Sequence, residues 1–306
     1  VSTRDGAFRL PQRGWRRLCS AAVAAGGDIS VTVEARDGDG VWRRYAPFVI
    51  RVSEDEIDPY MVYRLIEPGY ETWGEMGIYQ RCLETFREEP VIETSSAGYG
   101  CVNCHTFRSQ DPDMMLFHMR QTHAGTMLLR EGRIERLNTA TDSTISSTVY
   151  PSWHPSGRYI AFSVNATKLI TLPDESNRVE VFDSASDVVV YDTERHELYS
   201  VPELMRGDRF ETFPSFSPAG DKLYFCTADS VEMPARYKEA RYSLCSIGFD
   251  AASGRLGRDV DTLCNARTTG RSVSFPRVSP DGAFMLYALS DYGTFSIWHR
   301  DADLRM

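Results

Sequence analysis

The sequence predicts a mainly β protein whose larger, C-terminal part is a propeller of four-stranded blades. Three observations carry this reading. A string occurs three times, as Tyr150-Pro151-Ser152-Trp153-His154-Pro155-Ser156-Gly157, Phe213-Pro214-Ser215-Phe216-Ser217-Pro218-Ala219-Gly220 and Phe275-Pro276-Arg277-Val278-Ser279-Pro280-Asp281-Gly282. The copies begin 63 and 62 residues apart. Each leads into an apolar run (159–162, 223–225, 284–287) and then a second strand pair: 188–192 with 197–201, 242–249 with 260–263, and finally 295–298. Proline after the aromatic forces an extended approach. The later Pro and Gly set a turn, and the apolar run is the return strand. Four strands per unit at a fixed period mark a propeller blade.

The hairpin at the head of this region follows from the same logic. Residues 126–130 and 133–138 flank Glu131-Gly132, a tight turn. Upstream, Trp15, Leu18, Ala22 and Val23 recur at helical spacing, and Gly26-Gly27 ends the run. Residues 29–35 alternate like a half-buried strand. Asp37-Gly38-Asp39-Gly40 is a turn, and 41–45 and 48–52 are further strands. A small β-sandwich-like domain is therefore expected over 1–58. A connector follows over 59–124, with helix expected over 76–86, and the propeller runs over 125–306.

Length and composition bound the functional classes. The chain has 306 residues, 42% of them hydrophobic and 11% aromatic, enough for a sizeable core. A formal net charge of −9 argues against a nucleic-acid partner. No apolar run approaches the length of a membrane span. Val1 is neither an initiator Met nor the start of a signal peptide, which suggests a processed or excised chain. No phosphate loop, nucleophile elbow or zinc-protease motif is present, so a platform is expected rather than an enzyme.

The stretch that points to chemistry is Cys101-Val102-Asn103-Cys104-His105. Two thiols at this spacing can add across the two vinyl groups of a haem, and the adjacent imidazole can then ligate the iron. Asp111-Pro112-Asp113 reads as a helix start and Gly125 as its stop. That short helical segment would carry Met115, His118, Met119 and His123, the candidates for a second axial ligand. His118 leads among them; on a helix it would share a face with Met115, and Met119 would be turned away. The same residues admit a zinc site, since Cys101, Cys104, His118 and His123 fall within Cys2His2 spacing. A disulfide or a free dithiol is the third possibility. Of the remaining five cysteines, Cys226 and Cys245 are expected on successive strands, where they could face each other. His154, His196 and His299 are read as structural or solvated, with His299 on an outer strand.

The repeated string resembles the TolB-like family of bacterial propeller repeats, whose hallmark is aromatic-Pro-x-hydrophobic-Ser-Pro-Asp-Gly. The third copy matches throughout. The first has His154 and Ser156, and the second Ala219, in place of family residues. Cys101–His105 resembles the attachment site of c-type cytochromes. The combination is similar to bacterial cell-envelope proteins, which implies export to the periplasm or the outer membrane. Four to eight blades close a propeller, so three copies and a hairpin suggest an incomplete one. The function expected is a c-type haem-binding protein with a propeller platform, in electron transfer or redox-linked binding. The alternative is a non-catalytic scaffold whose Cys/His stretch holds zinc or a disulfide. Loops 166–185, 229–241 and 290–294 should emerge on one face as the surface for a protein or redox partner.

Overall fold

The computed structural model describes residues 6–55, 57–66, 76–142, 144–172 and 178–306. It falls into two compact units, Val1–Leu65 with Ile78–Val91, and Ile66–Gly77 with Ile92–Met306. In the first, helix α1 (Gln12–Ala24) ends at Gly26-Gly27 as its spacing predicts. Strand β1 (Asp28–Val31) pairs with β4 (Phe48–Arg51), and β2 (Glu34–Arg36) with β3 (Trp42–Arg44). The turn between β2 and β3 is closed by the Asp37 carboxylate. It accepts from the backbone of Asp39 and Val41 and from Arg43, and these bonds hold its pKa below the usual carboxylate range. A third small sheet contains β5 (Tyr60–Leu65), β6 (Gly77–Cys82) and β7 (Glu88–Glu93). Residues 77–82 are therefore strand where helix was expected. Their neighbours on both sides supply the ladder that isolated propensity does not see.

The second unit holds four successive antiparallel sheets, each strand beside its sequence neighbour. The first sheet is β8 (Val102–Phe107), β9 (Met114–Met119), β10 (Gly125–Arg130) and β11 (Arg133–Leu137). The second is β12 (Thr148–Trp153), β13 (Tyr159–Leu172), β14 (Arg178–Asp192) and β15 (Glu197–Tyr199). The third is β16 (Arg209–Phe216), β17 (Lys222–Asp229), β18 (Ser243–Asp250) and β19 (Arg255–Cys264). The last is β20 (Ser272–Val278), β21 (Met285–Ser290) and β22 (Asp303–Arg305). These are the blades. Residues 296–298, expected as a strand, form a 3-10 turn, and the third strand of that blade comes later.

The helix expected over 111–124 is not formed. Asp111 instead accepts the backbone N–H of Asp113 (3.0 Å), an Asx turn, and Met114–Met119 is β9. Asp and Pro favour turns as readily as helix starts. β9 lies between β8 and β10, and Met115, Leu116, Phe117 and His118 are all buried. A strand buried on both faces loses the alternation that would identify it. The segment 166–185 likewise departs from expectation. β13 and β14 pair from Tyr159↔Asp192 to Leu172↔Arg178, a long hairpin rather than a loop. Asp174 and Glu175 of this segment, charged candidates for a partner surface, lie outside the described residues.

The core sits between blades. Leu116, Leu128 and Leu137 of the first blade pack with Trp153, Ile160, Phe162, Val164, Val189 and Tyr191 of the second. The opposite face of the second blade, with Tyr159, Ala161, Val188 and Val190, packs on Phe216, Leu223, Phe225 and Ile247 of the third. Successive residues of β13 and β14 thus serve two cores, as strand alternation requires. Cys226 and Cys245 do not face each other. Their register, Cys226↔Leu244 and Phe225↔Cys245, puts them on opposite faces and in different cores.

Candidate functional site

The innermost strands of all four blades carry the same irregularity. The ladder slips by one residue between Val149 and Ser152, between Thr212 and Ser215, and between Ser274 and Arg277. The bulged residues Tyr150, Phe213 and Phe275 have φ of 49°, 52° and 53°. Positive φ is rare for bulky residues and marks an over-determined position. The three rings meet there, together with Phe295, with centroids 4.2–6.5 Å apart. This cluster is where the blades converge.

In the first blade the slip falls between Asn103 and Thr106, and the left-handed residue is Cys104, with φ of 52°. Cys104 thus occupies the position that holds an aromatic ring in every other blade. His105 takes the place of Pro151, Pro214 and Pro276. The turn that follows is also shared: Asp111 N–H donates to the Arg108 carbonyl, as Gly157 does to His154, Gly220 to Ser217 and Gly282 to Ser279. The first blade is a further copy of the repeat in which cysteine and histidine replace aromatic and proline.

The candidate residues divide into those gathered here and those that are not. Cys101 is buried, and the Asn103 side-chain amide lies 3.5 Å from its sulfur. Cys104 and His105 are half-buried. In a regular strand, residues three apart face opposite ways. The left-handed bulge at Cys104 breaks that alternation, so strand geometry does not force the two thiols apart. No disulfide joins the described cysteines. His118 stands across the ladder from Asn103 and is 4% exposed. Its Nδ1 is 2.9 Å from the Thr126 hydroxyl, which also touches Thr139 and Thr148. Its Nε2 is buried without a partner. Burial, with the nearby Arg120 charge, pushes the His118 pKa down to about 3, so the ring is neutral at physiological pH. Met115 is buried and Met119 half-buried on the same strand. His123 lies four residues beyond Met119, in a 3-10 turn beside Gly98, and is exposed. Among the described residues no group of three or more His, Cys, Asp and Glu side chains is placed to hold a metal ion.

One residue that sequence reasoning missed belongs to the same convergence. Arg277 follows the Phe275-Pro276 pair, where the other blades carry Ser152, Ser215 and Thr106. Its guanidinium donates to the Pro276 carbonyl (3.0 Å). Crowding by protein draws its pKa down, while the thiols of Cys226 and Cys104 oppose that shift. The signal was present as an arginine breaking a serine position in the repeat. The other histidine of the repeat is structural: His154 Nε2 is 3.0 Å from the Gly220 carbonyl, and its ring packs among Tyr159, Phe216 and Phe249.

No protein-family model matches the chain, and no curated protein does. Solved structures do resemble it. A putative TolB from Agrobacterium tumefaciens aligns with a TM-score of 0.48 at 13% identity, covering 88% of this chain and 81% of that one. TolB from Acinetobacter baumannii aligns with a TM-score of 0.49 at 12% identity, covering 97% and 71%. An oligogalacturonate lyase in complex with manganese aligns with a TM-score of 0.42 at 14% identity, covering 80% and 61%. Likeness at this level carries no functional argument; the blades stand on their own strand order and cores. Among the described residues no helix is long and apolar enough to cross a membrane.

Proposed function

We propose that this chain is an exported propeller protein that carries a covalently attached c-type haem, serving electron transfer or redox-linked binding in the bacterial cell envelope. The observation that carries the reading is the exchange at the bulge. In the one blade with Cys-x-x-Cys-His, the second cysteine and the histidine replace the aromatic and the proline of the repeat. The donor set fits the group. Cys101 and Cys104 would be the thioether anchors and His105 would ligate the iron. When bound, the haem supplies reversible one-electron exchange at its iron.

His118 would supply a second nitrogen ligand to the iron. His118 is held neutral by burial, the form that ligates metals. The contact of its Nδ1 with Thr126 orients the ring and leaves Nε2 as the available nitrogen. The loops of the other blades would serve a redox partner.

The test is maturation in a host with haem-attachment machinery. The wild-type chain is expected to keep one haem through denaturation, seen by intact mass, and the Cys101→Ala/Cys104→Ala double variant none. A wild-type chain matured in this way without covalent haem overturns the reading. His118→Ala is then expected to shift the absorption spectrum towards high spin, while His123→Ala leaves it unchanged. Equal spectra for wild type and His118→Ala would remove His118 from the iron.

A further inference from the structure

We propose that Arg277 pairs with a propionate carboxylate of the haem and raises its reduction potential. The inference rests on the haem reading above and adds to it a residue outside the Cys-x-x-Cys-His string. Arg277 stands where the other blades carry Ser152, Ser215 and Thr106. Ser152 shows what the repeat asks of that position: its Oγ accepts the backbone N–H of Phe216, in the next blade, at 2.9 Å. A guanidinium has donors and no acceptor, so Arg277 cannot make that bond. The packing of one blade on the next does not account for an arginine here.

Its surroundings select an anion. Among the described residues the guanidinium makes one hydrogen bond, from Nη1 to the neighbouring Pro276 carbonyl at 3.0 Å, and no carboxylate pairs with it. The side chain reaches solvent, yet the protein around it is dense enough to draw its pKa down. A cation so placed lines a recess, where water screens it less than on an open surface and a missing counter-charge matters more. The free N–H groups form a fork that matches a carboxylate at two points. Location then singles out the carboxylates of the haem. A haem carries its propionates on the edge away from the vinyl groups that thiols take up. Their partner must stand off the cysteine strand and still lie near it. Arg277 meets both conditions. It is on β20, whereas Cys104 is on β8, and charge on the Cys104 sulfur is felt at the guanidinium. Two residues before it, Phe275 joins the ring cluster where the blades converge, and Cys104 holds the equivalent bulge position in the first blade. An unpaired propionate charge favours ferric over ferrous iron, so offsetting it raises the potential.

The test uses the full chain matured with haem, as wild type, Arg277→Gln, Arg277→Lys and Arg255→Gln. Arg255 is exposed on the outermost strand of the third blade, so its variant removes the same charge elsewhere. Two quantities are read: the reduction potential, and the propionate bending bands of the resonance Raman spectrum, which respond to hydrogen bonds at the propionates. Arg277→Gln is expected to shift the bands and to move the ferrous–ferric equilibrium about ten-fold towards ferric, the scale of one partly screened charge. Ten-fold is about 59 mV for a one-electron couple. Arg277→Lys keeps the charge and loses the fork, so it should restore most of the potential while the bands stay shifted. Arg255→Gln should leave both unchanged. Unshifted bands in haem-loaded Arg277→Gln overturn the inference even where the potential falls, because a field alone would then be acting. So does an equal fall in potential for Arg255→Gln. Intact mass separates these results from failure of the haem reading. A matured wild-type chain without covalent haem overturns both; a loaded chain with unshifted bands overturns only the place given to Arg277.

Discussion

Gly100→Ala is expected to destabilise the first blade by about 3–5 kcal/mol, the scale of severe steric substitutions. A Cβ at Gly100 would lie 2.2 Å from the Arg120 carbonyl oxygen and 3.4 Å from that of Ala97. Both are backbone atoms, so no side chain can swing aside. Next to this contact, Arg120 N–H donates to the Cys101 carbonyl at 2.9 Å, the bond that starts the β8–β9 ladder. Relieving the clash must separate these two segments, and Cys101 sits within the opened region. The measurement is urea unfolding of Gly100→Ala beside Gly207→Ala. Gly207 is exposed, and an added Cβ there meets nothing within 4 Å. A loss confined to Gly100→Ala is the expected result. Stability of Gly100→Ala within 0.5 kcal/mol of wild type, about the scatter of neutral surface changes, would show that the close approach is not maintained in solution.

Glu211→Gln is expected to stabilise the protein at alkaline pH and to change little near pH 5. Glu211 is fully buried on β16. Burial pushes its carboxyl up to about 8, and the nearby Asp187 charge adds to the rise. The Arg206 N–H and the charges of Arg209 and Arg206 oppose it. Between the unfolded carboxyl pKa of 4.5 and about 8, the folded state holds the proton and the unfolded state does not. Stability from this group is therefore fully present below 4.5 and is lost as pH rises to about 8, with a limiting slope of about 1.4 kcal/mol per pH unit. Asp183, lifted to about 6 by burial, adds a loss of the same sign in a lower window. Glutamine keeps the hydrogen bonds and cannot ionise. Urea midpoints at pH 5, 7 and 9 are expected to fall for wild type and to fall much less for Glu211→Gln. Parallel pH profiles for the two chains would mean that Glu211 does not hold its proton in the fold.

Particular residues show why some of the structure was legible in sequence and some was not. The repeated string at Tyr150, Phe213 and Phe275 located three innermost strands, because a repeat is visible within the chain itself; the extended backbone that the following proline predicts for these residues is overridden, since each is left-handed at its bulge. The Glu131-Gly132 turn and α1 were legible because turn chemistry and helical spacing act within a few residues. β9 was not. Its dense run of apolar side chains is equally compatible with a buried helix and a buried strand. Only partners on both sides choose, and those partners are β8 and β10.

By itself the sequence determined that the chain is built from repeated blades and that one Cys-x-x-Cys-His string precedes the three obvious copies. Both are statements about residues close in the chain. Tertiary structure decided that this string is itself the innermost strand of a blade. With its aromatic and proline replaced, no local signal remained; the shared ladder slip, the left-handed φ of Cys104 and the shared turn after it relate it to the others. Tertiary structure also assembled Glu180 with Tyr292 and His299, 112 and 119 residues away. Contacts at that separation depend on how whole blades pack, and packing between blades leaves no periodic trace in the chain that composes them.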